Sequence, residues 1–180
     1  MITSDIANSL VLLSLEDGMW KITDFGLASE GTSKAVHTTK YSRGTPCYRA
    51  PELVRDEPFF NRKVDIWSIG CILYELLEGS KVFGNDFEVL QYASSDDQPM
   101  PPLPSLRQQP RRAQRLWVAL FNACLEKKWW TRPSTSKILQ FLTLLNDDKT
   151  IPGFLQMWDD VIPIEDILAH GDVVKYIPRW

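Results

Sequence analysis

The chain begins with two short hydrophobic runs. Residues 10–13 and 19–23 are rich in strand-forming side chains, and the turn residues Glu16, Asp17 and Gly18 separate them. This pattern predicts a β-hairpin. Residues 29–43 are rich in Ser, Thr and Lys and show neither a helical nor a strand period. Because median connections have about 4 to 6 residues, a stretch of this length predicts a functional loop.

Helical patterns dominate the rest of the sequence. Residues 64–77 carry apolar side chains on nearly every face and are followed by Gly79, which predicts a buried central helix. Ser134 is a candidate N-cap for the last helix. Mainly α with a small β-hairpin is therefore the predicted fold class. The apolar residues of two further amphipathic helices are Leu116, Trp117, Leu120, Phe121, Cys124 and Leu125, then Ile138, Leu139, Leu142 and Leu145.

Prolines interrupt the pattern in two places. Residues 98–110 contain five prolines and are predicted to be extended and helix-free. A linker laid over the surface is favoured over a proline-rich ligand for an aromatic groove. Residues 151–180 give only short helical hints. Their aromatic side chains are predicted to pack back on the helices rather than to bind a partner: Phe154, Trp158, Tyr176 and Trp180.

Composition narrows the function classes. With 180 residues, 44% of them hydrophobic and 24% charged, the sequence predicts one folded domain. A net charge of -3 argues against nucleic-acid binding, and no apolar stretch approaches the roughly 20 residues that cross a membrane. The cysteines share no metal-ligand spacing and the two histidines lie far apart, so we expect reduced thiols in an intracellular protein, cytoplasmic or nuclear. These residues are Cys47, Cys71, Cys124, His37 and His170.

Four motifs occur in a fixed order. Asp24, Phe25 and Gly26 follow the second strand, where a carboxylate could hold a hard cation beside a phosphate. Then come Gly-Thr-Pro-Cys-Tyr-Arg-Ala-Pro-Glu at 44–52, Asp-Ile-Trp-Ser-Ile-Gly at 65–70, and Arg-Pro-Ser at 132–134 after Leu125. Together they resemble the carboxyl-terminal lobe (C-lobe) of a eukaryotic-type protein kinase, serine/threonine branch. The resemblance implies a partial kinase domain at 1–150 and a tail at 151–180.

The resemblance implies a nucleotide site and a regulatory loop. Asp24 would ligate the magnesium that bridges the phosphates of ATP, and Phe25 would pack inward beside Gly26 to set its position. Residues 27–49 would form the activation loop. Its plausible phosphorylation sites are Thr38, Thr39 and Ser42.

The resemblance also implies a substrate-side support and two structural contacts. Thr45 would support the catalytic loop and the attacking hydroxyl of a protein substrate. Glu52 would form a buried ion pair with Arg132, and removing one partner of such a pair costs roughly 3 to 5 kcal/mol. Asp65 would accept backbone amide hydrogens from the catalytic loop.

The catalytic loop departs from the family pattern. The best alignment places Thr3, Ser4 and Asp5 on the His, Arg and Asp of His-Arg-Asp, so Asp5 is the candidate base. Ala7 then replaces the lysine that steadies the transferring phosphoryl group, and Leu10 replaces the magnesium-binding amide. Both changes remove electrostatic stabilisation. Ser4 removes the arginine that would pair with a phosphorylated activation loop.

No glycine-rich phosphate loop, strand lysine or helix glutamate can be placed before Asp5. We therefore expect the isolated chain to transfer no phosphate. A kinase fragment, a pseudokinase-like protein-binding module that uses residues 99–110, and a truncated gene product all stay open. In the family another helix covers the central one, so we expect exposed apolar surface and possible oligomerisation. The residues concerned are some of Trp67, Ile69, Ile72 and Leu76.

Overall fold

The computed structural model describes residues 11–13, 20–26, 28–30, 36–40, 43–95, 97–108 and 111–146. The expectations for Thr3, Ser4, Asp5, Ala7, Leu10, Ser42 and residues 151–180 lie outside these residues. Within the described part of the chain, four α-helices, two short 3₁₀ helices (the first at Pro51–Leu53) and two small antiparallel sheets form a mainly helical lobe, as predicted. No helix in these ranges is both long and apolar enough for a membrane crossing.

The predicted hairpin is present. Strand β1 (Val11–Leu13) pairs antiparallel with strand β2 (Trp20–Ile22), and Leu12 lies opposite Lys21. Asp24 follows the hairpin, two residues after the end of β2. Its register therefore decides where the candidate metal ligand lies.

A second small sheet lies partly within residues 29–43, for which the sequence predicts a functional loop. Strand β3 (His37–Thr38) pairs antiparallel with strand β4 (Phe59–Phe60). The His37 ring stacks on the Phe60 ring with centroids 5.5 Å apart. Two-residue strands are too short to produce a readable hydrophobic period, which explains why the pattern predicted a loop.

The central helix is confirmed as α1 (Lys63–Glu78). It ends as predicted at Gly79, whose φ of 69° lies in the left-handed region that glycine adopts without a steric penalty. The Gly79 amide donates to the Glu75 carbonyl at 2.8 Å, which satisfies one of the last carbonyls of the helix.

Of the four residues among which exposed ones were expected on α1, Trp67 and Ile72 are buried and Ile69 is half-buried. Trp67 is covered because Phe83 stacks on its indole, with centroids 5.6 Å apart and planes 7° apart. Tyr92 covers it further, at 6.1 Å. Leu76 does match the expectation, since 68% of its surface is accessible.

Helix α2 (Asp86–Ser94) was not predicted, although the sequence contains its start signal. The Asn85 side chain accepts a hydrogen bond from the Glu88 amide at 3.0 Å and donates to the Glu88 carboxylate at 3.1 Å. The same carboxylate accepts from the Gly84 amide at 2.7 Å. An Asn followed three residues later by Glu is a capping-box pattern, so this pair could have revealed the helix.

The proline-rich segment is neither helix-free nor a surface linker. A 3₁₀ helix (Pro104–Gln108) interrupts it, and the Tyr74 hydroxyl on α1 donates to the Pro102 carbonyl at 2.8 Å. Burial of apolar side chains is favourable whatever the backbone conformation. The apolar residues between the prolines therefore pack into the core, and the segment does not lie loosely over the surface. They are Met100, Leu103 and Leu106, all in the main core cluster.

The last two predicted helices are present as α3 (Arg111–Cys124) and α4 (Thr135–Asn146). The apolar face predicted for α4 is buried at Ile138, whereas Leu139 and Leu142 are exposed, with 65% and 36% of their surfaces accessible. The Lys137 amide donates to the Ser134 hydroxyl at 3.3 Å, so Ser134 caps α4 as expected. Both helices contribute to one core cluster with Ile66 of α1: Leu116, Leu120, Ala123, Cys124, Ile138 and Phe141.

We predict that Gly70→Ala destabilises the protein by about 1 to 3 kcal/mol, as overpacking does. A Cβ at Gly70 would lie 2.8 Å from the Cβ of Cys124 and 3.0 Å from a methyl of Leu125. This clash outweighs the higher helix propensity of alanine. Urea unfolding measures the effect, and Ser80→Ala, at an exposed position after α1, should change stability by less than about 0.5 kcal/mol. Equal stability of Gly70→Ala and wild type would contradict this packing.

Candidate active site

Asp24 occupies a strained backbone position at the end of β2. Its φ of 56° lies in the left-handed region, which aspartate tolerates better than most residues. Its carboxylate accepts a hydrogen bond from the Gly26 amide at 3.1 Å. A Cβ at Gly26 would lie 3.1 Å from the same oxygen, so glycine leaves room for the turned-back carboxylate. Strain of this kind is often found at functional residues.

The inward packing expected for Phe25 is wrong, because 49% of its surface is accessible. The Ala28 amide donates to the Phe25 carbonyl at 2.9 Å, which closes a turn directly after the phenylalanine. A ring becomes buried only where apolar groups cover it on several sides. The turn leaves the Phe25 ring at the surface of the described residues.

The donor set at Asp24 suits a magnesium ion shared with phosphates. Magnesium prefers oxygen ligands and is usually held by one or two carboxylates together with substrate phosphates and water. The Asp24 carboxylate is exposed and supplies one such ligand. The described residues contain no group of three or more His, Cys, Asp or Glu able to hold a metal, so an all-protein cage is absent from them.

Thr45 lies in a compact turn at the start of the 44–52 segment, which we call the anchored loop. The Tyr48 amide donates to the Thr45 carbonyl at 3.3 Å, and the Arg49 Nε donates to the Gly44 carbonyl at 2.6 Å. Gly44 has a φ of 90° and Cys47 a φ of 76°. A cysteine in the left-handed region is uncommon, so contacts around Cys47 must hold this conformation.

Two side chains of the anchored loop hold it against the start of α2. The Cys47 thiol donates to the Gly84 carbonyl at 3.0 Å. Arg49 forms an ion pair with Asp86, with 2.7 Å between Nη1 and Oδ2. Sequence reasoning missed both contacts because partners 37 residues apart leave no local pattern.

Tyr48 holds the same loop against α1. Its hydroxyl donates to the Glu75 carboxylate at 2.5 Å, and its carbonyl accepts from the Ser68 hydroxyl at 2.9 Å. The Lys81 ammonium lies 5.6 Å from the centroid of the Tyr48 ring. Three consecutive residues of the loop thus contact two helices.

The structure brings Glu52 and Arg132 together, as the sequence predicts. Nη1 of Arg132 lies 2.6 Å from Oε1 of Glu52, and Nη2 lies 2.9 Å from Oε2. Both residues are buried, with 2% and 1% of their surfaces accessible. Two parallel charge-assisted bonds in this fork geometry are the strongest contact that arginine makes with a carboxylate.

Arg132 donates two further hydrogen bonds, so that four of its five N–H groups have acceptors. Its Nε donates to the Glu126 carbonyl at 2.7 Å and its Nη1 to the Lys63 carbonyl at 3.1 Å. Its guanidinium lies 4.9 Å from the Trp67 ring, where a cation–π attraction adds to the ion pair. The Lys63 ammonium donates to the Arg132 carbonyl. Burial, and then the nearby charge of Arg132, lower the pKa of Lys63.

The other predicted site residues lie in separate places. Thr38 is exposed on β3 opposite Phe59, and the half-buried Thr39 donates its amide to the Pro58 carbonyl at 3.0 Å. Asp65 lies in the first turn of α1 and is half-buried. Phosphorylation of the threonines, and the contact of Asp65 with the catalytic loop, stay predictions.

Comparison with known proteins identifies the family. The protein kinase domain family matches residues 1–142, and the chain belongs to this family. Two of its relatives are named as serine/threonine-protein kinases. It is 32% identical over 147 residues to the serine/threonine-protein kinase fray1 of Dictyostelium discoideum. It is 38% identical over 130 residues to the serine/threonine-protein kinase RUNKEL of Arabidopsis thaliana.

These relatives are much longer than the chain. The match to fray1 covers 76% of this chain and 23% of fray1. The match to RUNKEL covers 71% of this chain and 9% of RUNKEL. The domain match establishes the family. Because the chain spans only a small part of these relatives, the activity of a whole kinase is a proposal for this chain.

We predict that Arg132→Ala lowers the free energy of unfolding by about 3 to 5 kcal/mol, because it leaves the Glu52 carboxylate buried without its partner. Urea unfolding measures this loss. The double variant Glu52→Gln/Arg132→Met should lose less than the sum of the two single variants, because no unpaired charge is then buried.

The half-exposed Arg49–Asp86 pair provides a matched control. Its side chains are 17% and 29% accessible, so water and salt screen the pair. Asp86→Asn should therefore cost about 1 kcal/mol or less. If Arg132→Ala were no more harmful than Asp86→Asn, the anchoring role of the buried pair would be refuted.

We predict that stability falls as the pH rises above about 9. Burial raises the pKa of Cys124 to about 12 and raises the pKa of Cys71 well above its ordinary value of 9.0. The folded protein keeps these protons, while the unfolded chain releases them from about pH 9, so alkali favours unfolding.

Urea unfolding at about pH 8 and about pH 10.5 tests this linkage. The variant Cys71→Ala/Cys124→Ala should be less stable at both values, because it leaves cavities. Its loss of stability between the two pH values should be smaller than that of the wild type. An unchanged loss would exclude these thiols as the cause.

Proposed function

We propose that this chain forms the substrate-side lobe of a serine/threonine protein kinase, which transfers the γ-phosphoryl group of ATP to a hydroxyl of a protein substrate. The buried Glu52–Arg132 pair is the observation that carries the proposal. It fixes one end of the anchored loop to the helical lobe, and Thr45 lies near the other end. A loop held in this way can present a substrate hydroxyl in a constant position.

In this proposal, different residues bind the metal and position the substrate. Asp24 holds magnesium through its exposed carboxylate, while Gly26 orients that carboxylate through its amide. Magnesium supplies positive charge that neutralises the phosphate oxygens during transfer. Thr45 supports the substrate hydroxyl, and Asp5 is the candidate base that accepts its proton.

The second candidate function is a pseudokinase-like binding module, and the residue types at positions 7 and 10 favour it. Ala7 and Leu10 lack the charge and the amide that the family uses at these positions. We therefore propose that the chain by itself transfers no phosphate. The buried side chains of Met100, Leu103 and Leu106 leave less of residues 99–110 available as a docking surface than the sequence suggested.

Calorimetric titration of the purified chain with ATP, with and without magnesium, tests the nucleotide site. We expect binding that requires magnesium and that Asp24→Asn abolishes, because the amide removes the negative charge that attracts the ion. Asp56→Asn, which changes an exposed carboxylate outside the site, should bind like the wild type. Binding that does not respond to Asp24→Asn would contradict the role of Asp24.

A radiolabel transfer assay tests the proposed inactivity of the isolated chain. Magnesium-dependent ATP binding without transfer is the expected result. Transfer that Asp24→Asn abolishes would overturn the proposal that the chain alone is inactive. Ala7→Lys/Leu10→Asn should strengthen magnesium-dependent ATP binding on the order of tenfold, because it restores a phosphate-side charge and an oxygen ligand.

A further inference from the structure

Positive charge is concentrated before and within the first part of α3. Residues 98–125 contain four arginines and no Asp, Glu or Lys, although the whole chain has a net charge of -3. These arginines are absent from the kinase motifs described above, and the proposed phosphoryl transfer does not use them. They are Arg107, Arg111, Arg112 and Arg115.

Three exposed residues of this stretch, Arg107, Arg111 and Arg115, are called the arginine surface. Arg111 and Arg115 lie four residues apart in α3 and therefore on the same helix face. Arg107 lies in the 3₁₀ helix, and its carbonyl accepts a hydrogen bond from the Gln114 side chain at 3.5 Å. This contact holds the 3₁₀ helix beside α3. All three arginines are exposed.

Nothing in the described part of the chain balances this charge. The ion pairs found there join Arg49 to Asp86 and Arg132 to Glu52 and involve none of the three arginines. Glu78, the carboxylate that contacts the 3₁₀ helix, accepts from the amide and hydroxyl of Ser105.

The arginines also do not stabilise their own helix. Cations in a first turn oppose the helix dipole, and like charges four residues apart repel each other. A negatively charged group outside the helix would offset both effects.

The complementary charge lies in the same chain, directly after α4. Residues 147–180 contain seven acidic and three basic side chains (Lys and Arg). Four of the acidic residues occur as two pairs that are adjacent in the sequence: Asp159 with Asp160, and Glu165 with Asp166.

Geometry allows the two charged regions to meet. Helices α4 and α3 share a core cluster, so the acidic segment starts from a neighbour of the arginine surface. The 12 residues that separate position 147 from position 159 can span about 40 Å when extended, about twice the length of α3.

We propose that the acidic residues of 147–180 bind the arginine surface within one chain, so that the C-terminal segment covers the start of α3. Exposed ion pairs are weak individually. A covalent connection makes their combination effective, because the segment is present at a local concentration of the order of millimolar.

Carbodiimide crosslinking of the full chain tests this contact. Arg111→Lys/Arg115→Lys keeps both charges and supplies amines that the reagent joins to nearby carboxylates. Mass spectrometry should find amide crosslinks from positions 111 and 115 to positions 159–166, at about five times the yield or more of the control. The control is Arg62→Lys, an exposed position directly before α1.

Two changes should reduce these crosslinks to the level of the control. The first is Asp159→Asn/Asp160→Asn/Glu165→Gln/Asp166→Asn, which removes the four carboxylates. The second is about 1 M salt, at which the screening length falls to about 3 Å. Yields equal to the control, or unchanged by neutralising the carboxylates, would overturn the proposal.

Mixing isotope-labelled and unlabelled chains identifies the origin of each crosslink. Crosslinks within one chain support the proposal. Crosslinks found only between chains would overturn it and assign the arginine surface to self-association. The result does not depend on ATP binding, so it leaves the proposed kinase function unaffected in either case.

Discussion

Desolvation of Arg132 is the constraint on which the rest of the lobe depends. A buried guanidinium is costly unless its donors find acceptors. Glu52 accepts from two of the five N–H groups of Arg132, and the carbonyls of Lys63 and Glu126 accept from two more. These partners come from the anchored loop, the start of α1 and the turn after α3. One side chain therefore connects three segments that are distant in sequence.

The anchored loop is held more firmly than its irregular backbone suggests. Glu52 fixes its end, Tyr48 contacts α1, and Cys47 and Arg49 contact the start of α2. Left-handed backbone at Cys47 becomes tolerable because these contacts surround it. For a transfer reaction, a loop fixed before the substrate arrives loses less conformational entropy on binding.

Sequence patterns predicted the parts of this structure that repeat locally or match a family motif. The 3.6-residue period located α3 and α4, and the long apolar run before Gly79 located α1. The family motifs placed Glu52 against Arg132. Helix α2 was missed although Asn85 and Glu88 signal its cap. The Arg49–Asp86 pair could not be predicted, because only the folded chain brings these residues together. The burial of Phe25 was predicted wrongly, because burial depends on neighbours that a linear pattern does not identify.

The backbone of Gly84 forms hydrogen bonds with two elements at once. Its amide donates to Glu88 inside the cap of α2, and its carbonyl accepts from the thiol of Cys47. Any evolutionary replacement of Cys47 by a larger or non-donating side chain must therefore be accommodated by the helix start as well as by the loop. Positions 47 and 84–88 are expected to change together among close homologues, as a unit inherited jointly rather than residue by residue.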